Sequence, residues 1–436
     1  MERVLRIIKK IIPEPIFKFF QPVYHWVVGY LGAWFYGFPS EKLIVIGVTG
    51  TKGKTTTCNL IAQILNSSGL KTGMATTVNF RIGEKEWVNE TKQTMLGRFQ
   101  LQKLLSQMVK VGCQYAVLET SSEGILQYRH RFIDYSVAVF TNLSPEHVER
   151  HGSFENYREA KIKLFEKVAK KENGIGIYNL DDENVSFFLK PKITKQYVYT
   201  LKLKKTIGEI QNLYQINKIK LKVQDTTFLF NNKEYKMPLI GEFNIYNAAA
   251  AICVALSQGI WPSKIKRALS KVKAPAGRFE IINNKRGFTV VIDYAHEPAS
   301  LEAVYKTAKS QIANCKSRLI CLLGSQGGGR DKWKRPEMGK IAAKYCDKII
   351  LTNEDPYDES PLKIINDVAS GIKNKSVKKI IDRRKAIKAA LLLAKKGDVV
   401  ILTGKGGEVW MCVEKGKKIP WNEKKIVEEK LKELNF

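Results

Sequence analysis

Histidine and motif-forming cysteine are scarce in this chain of 436 residues, and arginine is scarce beside lysine. There are five histidines and seven cysteines, with no CxxC pair and no Cys/His cluster at metal-ligand spacing, which excludes a zinc ribbon or finger. The odd cysteine count in so long a chain also excludes a small disulfide-stapled scaffold. Cys253 in AAAAICVAL and Cys321 in LICLLG stand in apolar runs, where the thiol serves as a small hydrophobe, and a reducing cytoplasm is the expected setting. Arginine supplies only 16 of the 73 cationic residues, and the lysines that make up the rest are spread along the chain. The net charge of +31 therefore reads as a solvated surface attractive to anions, and no nucleic-acid partner is expected, since base-edge readers favour the arginine fork. Short-period repeats and low-complexity linkers are absent, so solenoids are excluded. With 44% hydrophobic and 26% charged residues the chain reads as globular, with room for two to four domains at about 100 to 200 residues each.

Residues 19–40, FFQPVYHWVVGYLGAWFYGFPS, contain no charged side chain, and before them stand Arg3, Arg6, Lys9, Lys10 and Lys18 against Glu2 and Glu14. Gln21, Pro22 and His25 and the scattered aromatics suit a segment lying on a membrane surface better than a spanning helix. Burial against the protein's own core is the other reading. No small-residue cleavage site marks a signal peptide.

From Glu41 short β-branched runs alternate with amphipathic stretches. LIVIGV (43–48), QYAVLE (114–119), YSVAVFTN (135–142) and GIGIYN (174–179) predict buried strands, and the alternation predicts a parallel sheet with helices on both faces. YVYTLKLKK, KIKLKVQ and TTFLFNNKEYKMPLI, between about 196 and 240, read as small antiparallel strands appended to that P-loop-type sheet. A helix follows at 244–260. FTVVIDYA, RLICLLG, KIILTNED and DVVILTGK repeat the strand theme in a smaller, Rossmann-like α/β domain. The expected division is 1–40, 41–272 and 273–436.

The sharpest signal is GVTGTKGKTTT at 47–57, between a strand and a helix. Its glycines let backbone N–H groups converge on phosphate oxygens, Lys54 suits the β and γ phosphates, and the Thr55 hydroxyl suits Mg²⁺. Val48 stands where the strict Walker spacing has glycine, so the pattern is GxxGxxGK[ST]. Gly50, Thr51, Lys52, Gly53, Lys54, Thr55 and Thr56 are the candidate nucleotide-binding residues.

This loop resembles that of the Mur ligase family, and the likeness extends over about 41–436, most closely to the tripeptide-synthetase branch. It implies an enzyme that binds ATP and two Mg²⁺ ions, adding an amino acid to a carboxylate acceptor, UDP-MurNAc-dipeptide or a related cell-wall precursor, through an acyl phosphate. That places it in peptidoglycan synthesis, and so in cell shape and division, in the cytoplasm or at the inner face of the cell membrane. In LETSSEG the resemblance makes Glu119 a metal ligand, with Glu123 where the family has histidine. TNLSPEHVERHGSFENYREAKIKLF (141–165) makes His147 a second ligand and Lys161 a carbamylated, metal-binding lysine. Catalytic roles fall to Lys54, Lys161 and Arg278. Asn247 is expected near adenine, Arg278 at the ATP phosphates and Asp293 at the ribose or closing nucleotide site. GGGRDKWKRPEMG (327–339), with Arg330, Asp331, Lys334 and Arg335, suits an acidic peptide or phosphate.

Where diaminopimelate-adding members carry Asp-Asn-Pro-Arg, this chain has Glu354, Asp355, Pro356 and Tyr357, and GKGHE appears as GKGGE, with Gly407 and Glu408. An acidic set of Glu354, Asp355 and Glu408 suits an ammonium, so lysine or another basic amino acid is expected. Tripeptide synthetases ordinarily begin with a domain for the UDP sugar, which the residues before the P-loop strand are too few to form. Two other functions therefore stay open: a folylpolyglutamate-synthase-like ligase with a non-UDP acceptor, and a non-catalytic ATP-binding protein at a membrane.

Overall fold

The computed structural model describes residues 14–91, 93–145, 151–202, 212–222, 225–312, 317–329 and 332–435. The chain divides into two compact units: Met1–Asn217 with Leu229–Lys233 and Tyr246–Leu269, and Lys218–Phe228 with Glu234–Ile245 and Ser270–Phe436.

The first unit grows around β1 (Ile44–Thr49). Its other strands are β2 (Thr72–Ala75), β3 (Asn79–Ile82), β4 (Lys85–Val88), β5 (Tyr115–Glu119), β6 (Tyr135–Phe140), β7 (Ile175–Asn179), β8 (Lys195–Thr200) and β9 (Asn212–Leu221), of which the last belongs to this unit as far as Asn217. They lie in the order β4-β3-β2-β5-β1-β6-β7-β8-β9. Along that order every neighbouring pair from β2 to β9 is parallel, while the edge pairs β2–β3 and β3–β4 are antiparallel. The runs with no polar alternation became β1, β5, β6 and β7, as a sheet covered on both faces requires. The helices used below are α1 (Glu14–Phe35), α2 (Lys54–Ser67), α3 (Arg98–Lys110) and α4 (Phe154–Ala169).

Of the strands after β7, β8 differs from the expectation. β8 continues the parallel sheet, Tyr197 to Thr200 pairing in parallel with Asn212 to Gln215 of β9. Val198 and Tyr199 point to opposite faces and both are fully buried, so this stretch is a core strand. A hairpin of β10 (Thr226–Phe230) and β11 (Lys233–Met237) follows, turned by Asn231 and Asn232 at φ 48° and 61°, the left-handed region such short turns require.

The second unit is the smaller α/β sheet that the sequence predicts. β12 (Glu280–Asn283), β13 (Thr289–Ile292), β14 (Leu319–Leu323), β15 (Lys348–Leu351), β16 (Val377–Lys379) and β17 (Val399–Leu402) lie in the order β12-β13-β17-β14-β15-β16. All pairs are parallel except β12 with β13.

Cysteine usage departs from its expected role. Cys321 on β14 is bonded to Cys346, which ends the helix before β15. Strand pairing sets Cys321 beside Ile349 and brings the two cysteine Cα atoms to 5.9 Å, within disulfide reach. The separation of 25 residues carries no motif, so sequence could not reveal the pair. Among the described residues no helix is long and apolar enough to cross a membrane.

Gly47 in the middle of β1 shows how tightly the first unit is packed. A Cβ there would stand 2.8 Å from two ring carbons of Tyr135 and 2.9 Å from Leu164 Cδ1, all in the buried core. Gly47→Ala should therefore lower unfolding stability by about 1 to 3 kcal/mol in urea titration; an unchanged midpoint would show that the core yields at no cost.

Candidate active site

The parallel strands deliver their functional groups at one edge, where β1, β5 and β6 end side by side. β1 runs into the loop 50–53 and α2 begins at Lys54. The loop's glycines are sterically required. At Gly50 (φ 147°) a Cβ would lie 2.0 Å from Thr141 Oγ1, and at Gly53 (φ 82°) 2.3 Å from Asn247 Oδ1.

The residues after β6 latch this loop. The Thr51 and Lys52 amides donate to the carbonyl (2.8 Å) and side-chain oxygen (2.9 Å) of Asn142, while Thr141 Oγ1 donates to the Lys52 carbonyl at 2.7 Å. Thr51 Oγ1 lies 3.0 Å from the Tyr157 hydroxyl. Thr141, Asn142 and Tyr157 lie within the block that marked His147 and Lys161, yet no motif argument had assigned them a task.

Two ammonium groups converge on this loop. Lys54 Nζ donates to the carbonyls of Gly50 (3.0 Å) and Thr51 (2.9 Å). Lys161, on α4 and 1% exposed, donates to the same Gly50 carbonyl at 2.8 Å and sits 4.4 Å from the centroid of the Tyr157 ring.

Glu119 ends β5 beside Val48 of β1 and is 3% exposed. Its Oε2 accepts from Thr55 Oγ1 and from the Thr77 amide, both at 2.9 Å, and its Oε1 accepts from Thr77 Oγ1 at 3.0 Å. The carboxylate is thus aimed at the P-loop hydroxyl. Thr77, braced by Thr94 at 3.0 Å, is a member of this arrangement that sequence reasoning missed, for no motif contains it. Oxygen donors of this kind suit Mg²⁺. Among the described residues no group of three or more His, Cys, Asp and Glu could hold a metal. His147 and Arg330 lie outside the described residues. Asn247 accepts from Thr57 Oγ1 at 3.3 Å and closes over Gly53, which places it against the phosphate loop.

In the second unit, Arg278 stacks over the Tyr294 ring, 4.4 Å from its centroid. Both Asp293 oxygens accept backbone amides at 2.7 Å, from Phe279 and Ala295, tying AGRFE to the strand end. Gly277 (φ 64°) would place a Cβ 1.9 Å from the Gly407 amide, so the loops carrying Arg278 and Glu408 touch backbone to backbone.

The charge inventory here alters two expectations. Lys405, fully buried, donates to Asp355 (2.9 Å), Glu408 (2.6 Å) and the Trp410 carbonyl (2.7 Å). Two of the three acids proposed for an incoming ammonium are therefore already matched by an internal one. Lys405 stood in plain view in GKGGE, but sequence alone does not show which acids it meets. Likewise Lys334 is bonded to Glu297, and Arg335, fully buried, to Asp367, Glu359 and the Gln326 carbonyl, so these two cations are internal struts and not part of an open basic loop.

Glu354 differs from its neighbours. It is fully buried, neither carboxylate oxygen has a hydrogen-bond partner among the described residues, and burial, reinforced by Asp355, pushes its pKa up to about 7. Tyr357 (φ 52°) occupies the position expected for arginine in diaminopimelate-adding relatives.

Comparison with known proteins bears directly on this geometry. Residues 48–255 match the Mur ligase middle domain and 277–406 the Mur ligase glutamate ligase domain. UDP-N-acetylmuramoyl-L-alanyl-D-glutamate–2,6-diaminopimelate ligase of Aquifex aeolicus is 42% identical over 400 residues, 91% of this chain and 79% of that protein. The chain belongs to the Mur ligase family. It is accordingly an enzyme, an ATP-dependent ligase that joins an acid and an amino acid. A solved Mur ligase structure, again a diaminopimelate ligase by name, superposes with TM-score 0.62 at 31% identity, covering 90% of this chain and 79% of that one. Mycobacterium tuberculosis folylpolyglutamate synthase has TM-score 0.69 at 16% identity, covering 86% and 91%, and shares the Mur ligase fold.

The state of Glu354 gives a pH test. Its folded pKa, about 7, lies above the ordinary 4.5, so the folded state holds this proton more tightly than the unfolded one. Its contribution to stability is present below about pH 4.5 and lost as pH rises through about 7, on the order of 3 kcal/mol. Glu354→Gln should flatten that part of the stability–pH curve in denaturant titrations. Parallel curves for the two proteins would contradict it.

Proposed function

We propose that this ligase adds an amino acid to the carboxylate of UDP-MurNAc-dipeptide or a closely related cell-wall precursor by way of an acyl phosphate, in the cytoplasm and with peripheral membrane contact through its N-terminal segment. The observation that carries the reading is the Glu119 carboxylate held on the Thr55 hydroxyl at the head of a glycine-bound phosphate loop. Names of relatives support the acceptor: the Aquifex protein at 42% identity is named for the UDP-MurNAc-dipeptide.

In this reading the backbone amides of 50–56 and the Lys54 ammonium hold the triphosphate, and Asn247 packs the loop's end toward the nucleotide. Glu119 and Thr55, with His147, would hold Mg²⁺, which when bound would supply positive charge to the phosphate oxygens. Lys161 would carry a carbamate as a further oxygen ligand; its burial and its place on the Gly50 carbonyl support this, since a buried amine at a loop of cations gains by becoming an anion. Arg278 neutralises charge on the transferred phosphoryl group, Asp293 meets the ribose, and Arg330 binds the acceptor. Transfer of the γ-phosphoryl to the acceptor carboxylate gives a leaving group that the amino acid's amine displaces, with release of phosphate. Exclusion of water protects that intermediate from hydrolysis.

The amino acid added carries a distal ammonium. Glu354 supports this, while Tyr357 supplies no cation for a distal carboxylate, which favours lysine over diaminopimelate; Asp355 and Glu408, held on Lys405, shape the loops of the amino-acid site.

Incubation with ATP, Mg²⁺, UDP-MurNAc-dipeptide and a panel of lysine, ornithine, diaminopimelate and neutral amino acids, read by mass, should give the lysine adduct with matching phosphate release. Exclusive use of diaminopimelate would refute the charge argument, and no adduct with any amino acid would refute the acceptor. Lys161→Ala should lower turnover at least about a hundredfold and remove a carbamate ¹³C signal seen with labelled bicarbonate. The same spectrum in both proteins would refute carbamylation.

A further inference from the structure

Helix α1 is built inside out. A surface helix ordinarily turns its large apolar side chains to the core and its small or polar ones to water. Here the side facing the first unit carries half-buried Gln21 and His25 and buried Gly29, Gly32 and Ala33. The glycines permit close seating. A Cβ on Gly29 would lie 3.2 Å from the Phe132 ring, and one on Gly32 would lie 3.2 Å from the ring of Phe99 on α3. The opposite side presents Phe20, Val23, Val27, Leu31 and Trp34, three or four residues apart, with exposures of 59, 60, 40, 48 and 62%. From residue 19 to the end of α1 there is no charged side chain to keep that stripe in water.

Its seating on α3 lays α1 flat against the unit, and its composition does not reach that of a spanning helix. A helix lying flat with an apolar face outward suits the boundary between lipid headgroups and acyl chains. Charge selects the partner. Arg3, Arg6, Lys9, Lys10 and Lys18 precede or begin α1 against only Glu2 and Glu14, and the whole chain carries +31. A second copy would bring +31 against +31, whereas an anionic bilayer is complementary.

We propose that the Phe20–Trp34 face of α1 docks on an anionic lipid surface, inserting its apolar side chains at the interface, with the net charge of +31 on the chain supplying the attraction. The docking deepens the peripheral membrane contact of the proposed function and rests on no part of its chemistry, because no residue assigned to catalysis lies on α1.

The test uses the full chain and vesicles of phosphatidylcholine, alone or mixed with phosphatidylglycerol, in co-sedimentation and tryptophan-emission assays. A Val23→Ser/Leu31→Ser/Trp34→Ser variant changes exposed side chains only, and its folding is checked by thermal unfolding and ATP binding. The wild-type chain should partition at least about tenfold more strongly onto the mixed vesicles, less so at high salt, with a blue shift in emission. The triple variant should lose at least about tenfold in partitioning and show no shift. The proposal is overturned if the wild-type chain ignores the anionic vesicles, or if the variant binds them equally well, which would assign the attraction to basic surface alone. A dimer in solution that the variant breaks, with no vesicle binding, would identify a second copy as the occupant and likewise overturn it.

Discussion

Two lysine ammonium groups, Lys54 and Lys161, donate to one backbone carbonyl, that of Gly50. Charges so placed are within about 6 Å of each other and repel by on the order of 3 kcal/mol at an effective dielectric near 20. The structure holds them there through the rest of the site. Thr141 and Asn142 clamp the loop, Gly50 and Gly53 leave no room for a side chain, and α4 delivers Lys161 from the far side. A triphosphate offsets such a concentration of charge, and so does conversion of one amine to a carbamate. Glu119 on Thr55 completes the arrangement with the carboxylate that a divalent cation accompanying the phosphates requires.

The second unit manages its charge differently. Lys405, Arg335 and Arg383 are all fully buried, and each is bonded to carboxylates, Arg383 to Glu423. Breaking such a pair would strand a buried charge, so these residues shape the loops that carry Arg278, Tyr357 and Glu408 and are not free to exchange partners with a substrate. Glu354 is the exception, a buried acid whose oxygens have no hydrogen-bond partner among the described residues. That is why the case for an ammonium-bearing amino acid narrows to this one residue.

Sequence made the frame legible because burial on both faces leaves unbroken β-branched runs, as in β1 and β6, and because a phosphate loop needs glycine where the chain must turn at positive φ, as at Gly50 and Gly53. Glu119 was readable as the last residue of a buried strand. What was not readable depends on pairing across long stretches of chain. β8 reads like an appended antiparallel strand until its parallel neighbours are known, Cys321 and Cys346 meet only through strand register, and Thr77 reaches Glu119 across 42 residues. Basic residues were the least legible, since Lys334 and Arg335 share the composition of a solvated loop yet are buried against acids.

The central claim is that Glu119 and Thr55 form one face of a metal–triphosphate site. Calorimetric titration of the wild-type chain and Glu119→Gln with a non-hydrolysable ATP analogue, with Mg²⁺ and with chelator, tests it directly. The expected result is tighter binding with Mg²⁺ in the wild-type chain, and loss of that gain in Glu119→Gln while binding in chelator is retained. An equal Mg²⁺ gain in both proteins, or no nucleotide binding by the wild-type chain, would contradict it.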